Sequence, residues 1–91
     1  NQCQLNKDFP CPPHLDSVNT GESILVAFGH YLDGNTCIYR NEKIEKHDAR
    51  DEPLKFDGSK LLHWVQPIRS EGTRYSIVFF NNAYGLKKNN K

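Results

Sequence analysis

Apolar residues along this chain recur mainly at every second position, which is the period of a β-strand with one buried face. The segment 73–82, TRYSIVFFNN, shows this period most clearly. Its two faces carry, respectively, Tyr75, Ile77 and Phe79, and Arg74, Ser76 and Val78. The sequence has no comparable helical period and no internal repeat, so strands are predicted almost throughout.

Short strands separated by turn signals follow one another along the chain. The predicted strands are 2–5, 23–31, 35–40, 73–82, and two short strands within 54–67 that are separated by Asp57 and Gly58 and ended by Pro67. Asp33 and Gly34 give a strong turn signal, which predicts that 23–31 and 35–40 pair as a hairpin. A further turn is predicted at 68–72, IRSEG.

Residues 41–53, NEKIEKHDARDEP, are highly charged, with Ile44 as the one large apolar residue. We expect a short edge strand and a surface loop, since charged side chains protect a sheet edge. A helix is the alternative, and the single large apolar position disfavours it. Many short strands with frequent turns predict an all-β sandwich or barrel over residues 1–82. Residues 83–91 are predicted to form a polar, mobile C-terminal tail.

Composition limits the classes of function. A chain of 91 residues with a formal charge of +1 has room for one small domain and lacks a strong field for nucleic acid or membrane surfaces. No apolar run approaches the roughly 20 residues of a membrane helix. The three cysteines, Cys3, Cys11 and Cys37, have irregular spacing, which predicts reduced thiols in a soluble intracellular protein of the cytoplasm or nucleus.

The stretch CPPHLDSVNTGES places His14 and Asp16 two positions apart, so on a strand their side chains share one face. An imidazole and a carboxylate turned into a small barrel are costly to bury unless a positive group satisfies them, and a divalent metal does this well. Two histidines and one carboxylate form the facial triad of non-haem Fe(II) oxygenases. His63, inside the apolar segment LLHWVQP, is the best candidate for the second histidine.

Arg74 follows His63 by eleven positions, and Ser76 is the next residue on the same strand face. A planar guanidinium offers a carboxylate two parallel, charge-assisted hydrogen bonds, and the hydroxyl adds a third. This pair therefore indicates a site for a diacid co-substrate.

The ordered combination of H-x-D, a distant His and R-x-S resembles the Fe(II)/2-oxoglutarate-dependent dioxygenases over nearly the whole chain, from Gln2 to Asn82. The resemblance implies a double-stranded β-helix, a jelly-roll barrel with the metal inside. It also implies that Fe(II), 2-oxoglutarate and O₂ take part, with ascorbate as an optional accessory. By this resemblance the residues that hold Fe(II) are His14, Asp16 and His63, and those that bind the distal carboxylate of 2-oxoglutarate are Arg74 and Ser76.

R-x-S is the pattern of the prolyl-hydroxylase-like and TET/JBP-like branches of that family. The nucleic-acid demethylases carry a second arginine six positions after the first, where this chain has Phe80, and halogenases lack the carboxylate that Asp16 supplies. Either a protein or peptide side chain or a methylated pyrimidine base fits as substrate, with a small preference for the prolyl type. The helices that usually support the barrel are missing, so the chain is either an unusually small enzyme or a fragment of a longer one. The sequence does not indicate an oligomeric state.

The same residues have simpler readings. Taken singly, a histidine at a strand end, a core histidine and a surface arginine are commoner than a ligand set. A second hypothesis is therefore a cupin-like jelly-roll binding module without turnover, in which the three side chains merely fill the barrel.

Other polar and aromatic residues carry weaker hypotheses. Tyr31 and Tyr39 are candidates for the mouth of the substrate site. Asn6 and Asn19 either contact the co-substrate or cap turns. Cys11 with His14 gives a C-x-x-H pattern, and a structural zinc site would need two further ligands that the sequence does not supply.

Overall fold

A computed structural model describes residues 2–8 and 10–82, and these residues form an all-β structure, as the sequence predicts. The strands are β1 (Gln2–Lys7), β2 (Cys11–His14), β3 (Asn19–Asp33), β4 (Thr36–Arg40), β5 (Lys43–His47), β6 (Leu54–Phe56), β7 (His63–Val65) and β8 (Ile68–Asn82). Over the described ranges, no helix is long and apolar enough to cross a membrane.

The strands form two four-stranded antiparallel sheets. The first has the order β1-β8-β3-β6 and the second the order β2-β7-β4-β5. The first strand pairs with the last, β2 with β7, β3 with β6, and β4 with β5. Of the two predicted alternatives, a sandwich and a barrel, the arrangement agrees with the sandwich, because neither sheet closes into a barrel within the described part of the chain.

The core lies between the two sheets. Leu25 and Ala27 of β3, in the first sheet, belong to the same buried cluster as Ile38 of β4, in the second. The whole cluster of buried apolar residues is Leu25, Ala27, Ile38, Ala49, Leu54 and Phe56. This alternating burial along β3 is what its sequence pattern predicts.

The long strand β8 turns its more polar face inward. Arg74 and Ser76 are 3% and 2% exposed, whereas Phe79, on the other face, is 47% exposed. Exposed apolar side chains of the neighbouring strands, including Leu5 and Phe28, lie on that same outer face. Burying a guanidinium while leaving a phenyl ring in water is the reverse of what packing favours. Core packing alone therefore does not explain why Arg74 and Ser76 occupy the inward face of β8.

The predicted hairpin between 23–31 and 35–40 is wrong. β3 pairs with β6 and β8 in the first sheet, and β4 pairs with β5 and β7 in the second. Asp33, the last residue of β3, and Gly34 have left-handed φ values of 60° and 64°. This connection carries the chain from one sheet into the other, because a local turn signal does not fix which strands then pair.

The predicted turn at 68–72 is also wrong. β8 begins at Ile68, which pairs with Asp33 at the end of β3. The register shifts near this end, and a Cβ at Gly72 would lie only 2.7 Å from the His30 carbonyl oxygen. The glycine and the irregular register allow two closely spaced strands to continue through a segment whose polar sequence suggests a turn.

The remaining predicted elements are present. Within 41–53 a short strand, β5, lies at the edge of the second sheet and a loop follows it, so the helical alternative is wrong. The two short strands predicted within 54–67 are β6 and β7, which join different sheets. The tail predicted at 83–91 lies outside the described residues.

Candidate functional site

The two histidines of the predicted ligand set face each other across a strand pair. His14 ends β2, His63 begins β7, and the two residues are direct partners in the antiparallel register. Their rings lie 4.3 Å apart, measured between centroids. Directly opposed residues point to the same side of a sheet, so both imidazoles reach one point on the inner face of the second sheet.

Asp16 completes the group from the segment that follows β2. Its backbone N–H donates to the carbonyl oxygen of Gly58 at 2.8 Å, which holds the aspartate against the turn after β6. Asp16 Oδ1 lies 3.4 Å from Nε2 of His14, and Asp16 Oδ2 lies 3.1 Å from Nε2 of His63. One potential ligand atom from each of the three residues falls within 4.8 Å of the other two. Two ligands about 2.1 Å from a shared metal lie about 3.0 to 3.4 Å apart at octahedral or tetrahedral angles, which agrees with the two distances from Asp16.

Both imidazoles are oriented by their second ring nitrogen. Nδ1 of His14 donates to the carbonyl oxygen of Pro12, and Nδ1 of His63 donates to that of Leu61, each at 2.8 Å. A carbonyl oxygen only accepts, so Nδ1 carries the hydrogen and Nε2 of the neutral ring presents a lone pair. Two lone pairs and a carboxylate thus converge. Three acceptors repel one another unless a proton on one imidazole or a metal cation lies among them, and this orientation is the one found in histidines that bind metals.

The cluster is closed on one side and open on the other. The side chain of His63 is 7% exposed, whereas those of Asp16 and His14 are 33% and 38% exposed. Phe56 packs its ring against the His63 imidazole in an edge-on contact at 4.9 Å between centroids. A metal held here would keep room for further ligands on the solvent side.

Gly58 is a site residue that sequence reasoning missed. A Cβ on Gly58 would lie 2.6 Å from Oδ2 of Asp16 and 3.1 Å from Cε1 of His63. The dipeptide of Asp57 and Gly58 gives an ordinary turn signal. The requirement for glycine at position 58 arises because this turn packs against Asp16, which lies more than forty residues earlier in the chain.

Arg74 and Ser76 lie on the inner face of β8, in the opposite sheet. Arg74 donates from Nη2 to Oγ1 of the buried Thr36 at 3.4 Å, so its side chain crosses from the first sheet to the second. Its Nε has no hydrogen-bond partner within the described residues. A buried cation with an unused donor is uncommon, because such groups are normally paired.

Arg74 lines a cavity of about 160 Å³, here called the Arg74 cavity, whose walls also include Asp8, Pro10 and Val65. Asp8 Oδ1 accepts the backbone N–H of Arg74 at 2.7 Å, which fixes the strand at this point. Val65 lies two residues beyond His63 on β7. Alternate residues of a strand are about 7 Å apart and face the same way, so the Arg74 cavity neighbours the histidine and aspartate cluster.

The tyrosines and asparagines that the sequence suggests as further site residues differ in their burial and in their distance from the site. Tyr31 is buried, with its ring centroid 5.9 Å from the Arg74 guanidinium carbon, whereas Tyr39 is 45% exposed. Asn6 lies opposite Ser76 in the register, and the backbone N–H of Asn19 donates to the Asp16 carbonyl oxygen at 3.0 Å.

The other residues with potential metal-binding atoms do not join the cluster. His30 is exposed, and His47 lies on the edge strand, with Nε2 3.0 Å from Oε1 of Glu45. Cys11 is half-buried but is not part of the ligand group, which leaves the C-x-x-H pattern without support as a zinc site.

Neither the scan against protein-family models nor the search of curated proteins finds a match for this chain. The chemistry of the site must therefore be inferred from its geometry.

Proposed function

We propose that this protein is an Fe(II)- and 2-oxoglutarate-dependent dioxygenase that hydroxylates a C–H bond of its substrate. One observation carries the proposal. A cluster of two imidazoles and one carboxylate lies beside a cavity lined in part by Arg74, a buried residue with an unused donor. The first group needs a cation and the second needs an anion.

The ligand set favours iron over other metals when the two groups are considered together. His14, Asp16 and His63 offer two nitrogen donors and one oxygen donor, which suit non-haem Fe(II) and leave positions open for other ligands. Zinc also accepts such donors. The nearby site for a second carboxylate distinguishes the two, since a hydrolytic zinc centre has no use for a diacid co-substrate.

Arg74 and Ser76 would bind the distal carboxylate of 2-oxoglutarate. Val65, which lines the Arg74 cavity, is the next inward position of β7 after His63 and lies about 7 Å along the strand. A five-carbon diacid has a comparable length, so we propose that it extends from the metal ligands towards Arg74. The free Nε of Arg74 then gains the acceptor that it lacks.

Each protein group has a defined role in this proposal. His14 and His63 hold the metal through Nε2, with their rings fixed by the Nδ1 hydrogen bonds, and Asp16 supplies the anionic ligand. Arg74 orients the co-substrate, and the sandwich excludes water from the buried side. Iron and 2-oxoglutarate, when bound, would supply the oxidative chemistry with O₂ as the oxidant: one oxygen atom enters succinate as 2-oxoglutarate loses CO₂, and the other hydroxylates the substrate.

We further propose that the sandwich is a double-stranded β-helix, or jelly roll. Eight strands in two four-stranded sheets are typical of that fold. The pairing of first with last, second with seventh, third with sixth and fourth with fifth strand is what a long hairpin wound around a central space produces. Its inner space is where the cluster and the Arg74 cavity lie.

For the substrate we favour a protein or peptide side chain over a methylated pyrimidine base. The formal charge of +1 supplies no basic surface of the kind that duplex binding requires. The open side of the cluster, at His14 and Asp16, is where the substrate would approach. The intracellular location predicted from the cysteines stays a prediction.

Turnover of the co-substrate tests the proposal. Protein purified without oxygen and loaded with Fe(II) should form succinate from 2-oxoglutarate in an O₂-dependent reaction. Asp16→Ala should abolish this reaction, and Asp51→Ala, which removes a charge from the loop before β6, should not. Stoichiometric metal binding without succinate, in the presence of peptide and nucleobase candidates, would instead support a non-catalytic jelly-roll binding module.

A further inference from the structure

Cys11 lies on the inner face of the second sheet, between the two parts of the proposed site. Cys11 is opposite Val65 in the register of β2 and β7, and His14 is opposite His63. The register shifts between the two pairs, so β2 has an irregularity in its middle. This shift lets both Cys11 and His14 share an inward face although they are three positions apart.

The Arg74 cavity adjoins this thiol. Val65, the cross-strand partner of Cys11, and Pro10, its neighbour in the chain, both line the cavity. Arg74, which also lines the cavity, is only 3% exposed, and its Nε has no hydrogen-bond partner within the described residues. An unpaired, deeply buried donor indicates a ligand for this space, and Cys11 lies beside it.

Electrostatic effects on the thiol agree with this position. Burial is the largest influence and raises the pKa of Cys11, the Val65 backbone N–H lowers it, Asp16 raises it, and Arg74 lowers it. The charges of Asp16 and Arg74 therefore both reach the sulfur, as expected for an atom lying between the metal ligands and the guanidinium.

We infer that Cys11 forms part of the wall of the diacid site, and that covalent modification of its sulfur by a soft electrophile excludes the diacid. The inference rests on the proposed function. With iodoacetamide as the electrophile, a bond forms between the sulfur and the methylene carbon, the carbon–iodine bond breaks, iodide leaves, and the thiol proton passes to solvent. The added acetamide group then occupies space that the diacid needs.

The other two cysteines serve as internal controls. Cys3 is exposed on the outer face of β1, opposite Phe79, so its reaction should not respond to a ligand held between the sheets. Cys37 is fully buried in β4 and should react slowly in the folded protein.

The whole chain, loaded with Mn(II) under argon, is labelled with iodoacetamide in the presence and in the absence of 2-oxoglutarate. Mass spectrometry then measures the rate of labelling at each cysteine. At a diacid concentration ten times its dissociation constant, labelling of Cys11 should slow about tenfold, because only the free protein reacts. Labelling of Cys3 should not change. Labelled wild-type protein should retain Mn(II) and lose 2-oxoglutarate binding, whereas iodoacetamide should not alter the diacid affinity of Cys11→Ser.

The outcomes separate this inference from the proposed function. If unmodified protein binds 2-oxoglutarate but Cys11 is labelled at the same rate with and without it, or is not labelled at all, Cys11 is not in the wall of the site. If unmodified protein with Mn(II) does not bind 2-oxoglutarate, the proposed function itself fails and the inference fails with it.

Discussion

The two ends of the inner space have opposite electrostatic needs. At the histidine and aspartate cluster three acceptors converge, with Asp16 and His14 about a third exposed. At the Arg74 cavity a single guanidinium is 3% exposed and has an unused donor. Buried polar groups in folded proteins are nearly always satisfied by one another. Here Asp16 lies against the two imidazoles, whereas the Nε of Arg74 has no partner within the described residues.

The pair formed by Asp48 and Arg50 shows what a self-sufficient arrangement looks like in the same molecule. Arg50 Nη2 lies 2.6 Å from Asp48 Oδ2, Nη1 donates to the Tyr31 carbonyl oxygen at 2.9 Å, and the guanidinium stacks 4.0 Å over the Tyr31 ring. Every part of that cation is used by the fold. Arg74, by contrast, keeps an unused donor within the described residues, which is the group that the proposed diacid would satisfy.

The largest expected effect is at the cluster. His63→Asn keeps an N–H donor near the Leu61 carbonyl oxygen but removes Nε2, so affinity for Fe(II) or Mn(II) should fall at least about 100-fold. Anaerobic equilibrium titration measures this loss. His47→Asn, on the edge strand, should bind metal like the wild-type protein. Equal affinity in His63→Asn and wild type would exclude the proposed ligation.

At the other end, Arg74→Met should separate binding from stability. Loss of the guanidinium should weaken 2-oxoglutarate binding about 100-fold or more, with metal affinity nearly unchanged. Removal of an underpaired buried charge should also raise the free energy of unfolding by about 1 kcal/mol. Calorimetric binding and urea denaturation measure the two effects. Arg69→Met, which removes an exposed ion pair with Asp33, is the control and should leave both nearly unchanged.

Gly58→Ala tests how tightly the cluster is packed. The new methyl group must displace the Asp16 carboxylate, so metal affinity should fall about tenfold, the size of effect seen when support of a ligand is lost. Gly21→Ala is the matched control, since Gly21 has a positive φ of 71° but open space around its Cα. That variant should lose stability without losing metal affinity. If Gly58→Ala loses stability but keeps its metal affinity, the glycine is needed for the conformation of the turn and not for the packing of the cluster.

The smallest expected effect is at the ion pair between Asp48 and Arg50. The hydrogen bond from Arg50 is the main reason that the pKa of Asp48 lies below its ordinary value. The stabilisation is therefore complete above about pH 4 and is lost as the pH falls through the lowered folded-state pKa. Asp48→Asn should reduce stability by about 0.5 kcal/mol at neutral pH, and the difference from wild type should shrink in acid. Asp51→Asn is the control, and a pH-independent difference would contradict the assignment.

Sequence periodicity predicted the local structure better than the pairing of strands. The positions of β1, β4, β5, β6 and β7 follow from alternation and turn signals. The partner of β4 could not be predicted, because the turn at Asp33 and Gly34 is compatible with either sheet. The extension of β8 through 68–72 depends on its pairing with the end of β3, which is a contact between distant parts of the chain.

The grouping of His14, Asp16 and His63 was predicted from residue types and order, but the reason given for it was wrong. Asp16 lies after the end of β2 and is placed by its hydrogen bond to the Gly58 carbonyl oxygen, not by strand alternation. The role of Gly58 was not predicted, because its signal is the absence of a side chain in an ordinary turn. The strongest sign of a binding site between the sheets is the reversed polarity of β8, where Arg74 and Ser76 are buried and Phe79 is exposed.

Thermodynamic coupling between metal and diacid tests the central claim most directly. A single ligand that spans both ends must bind more tightly when the metal is present, by a factor of about 5 to 150 for typical coupling energies. Calorimetric titration of 2-oxoglutarate into the protein under argon, with and without Mn(II), should show this gain in wild type and only weak binding in Arg74→Met. Equal affinity with and without Mn(II) would contradict a shared site at the two ends.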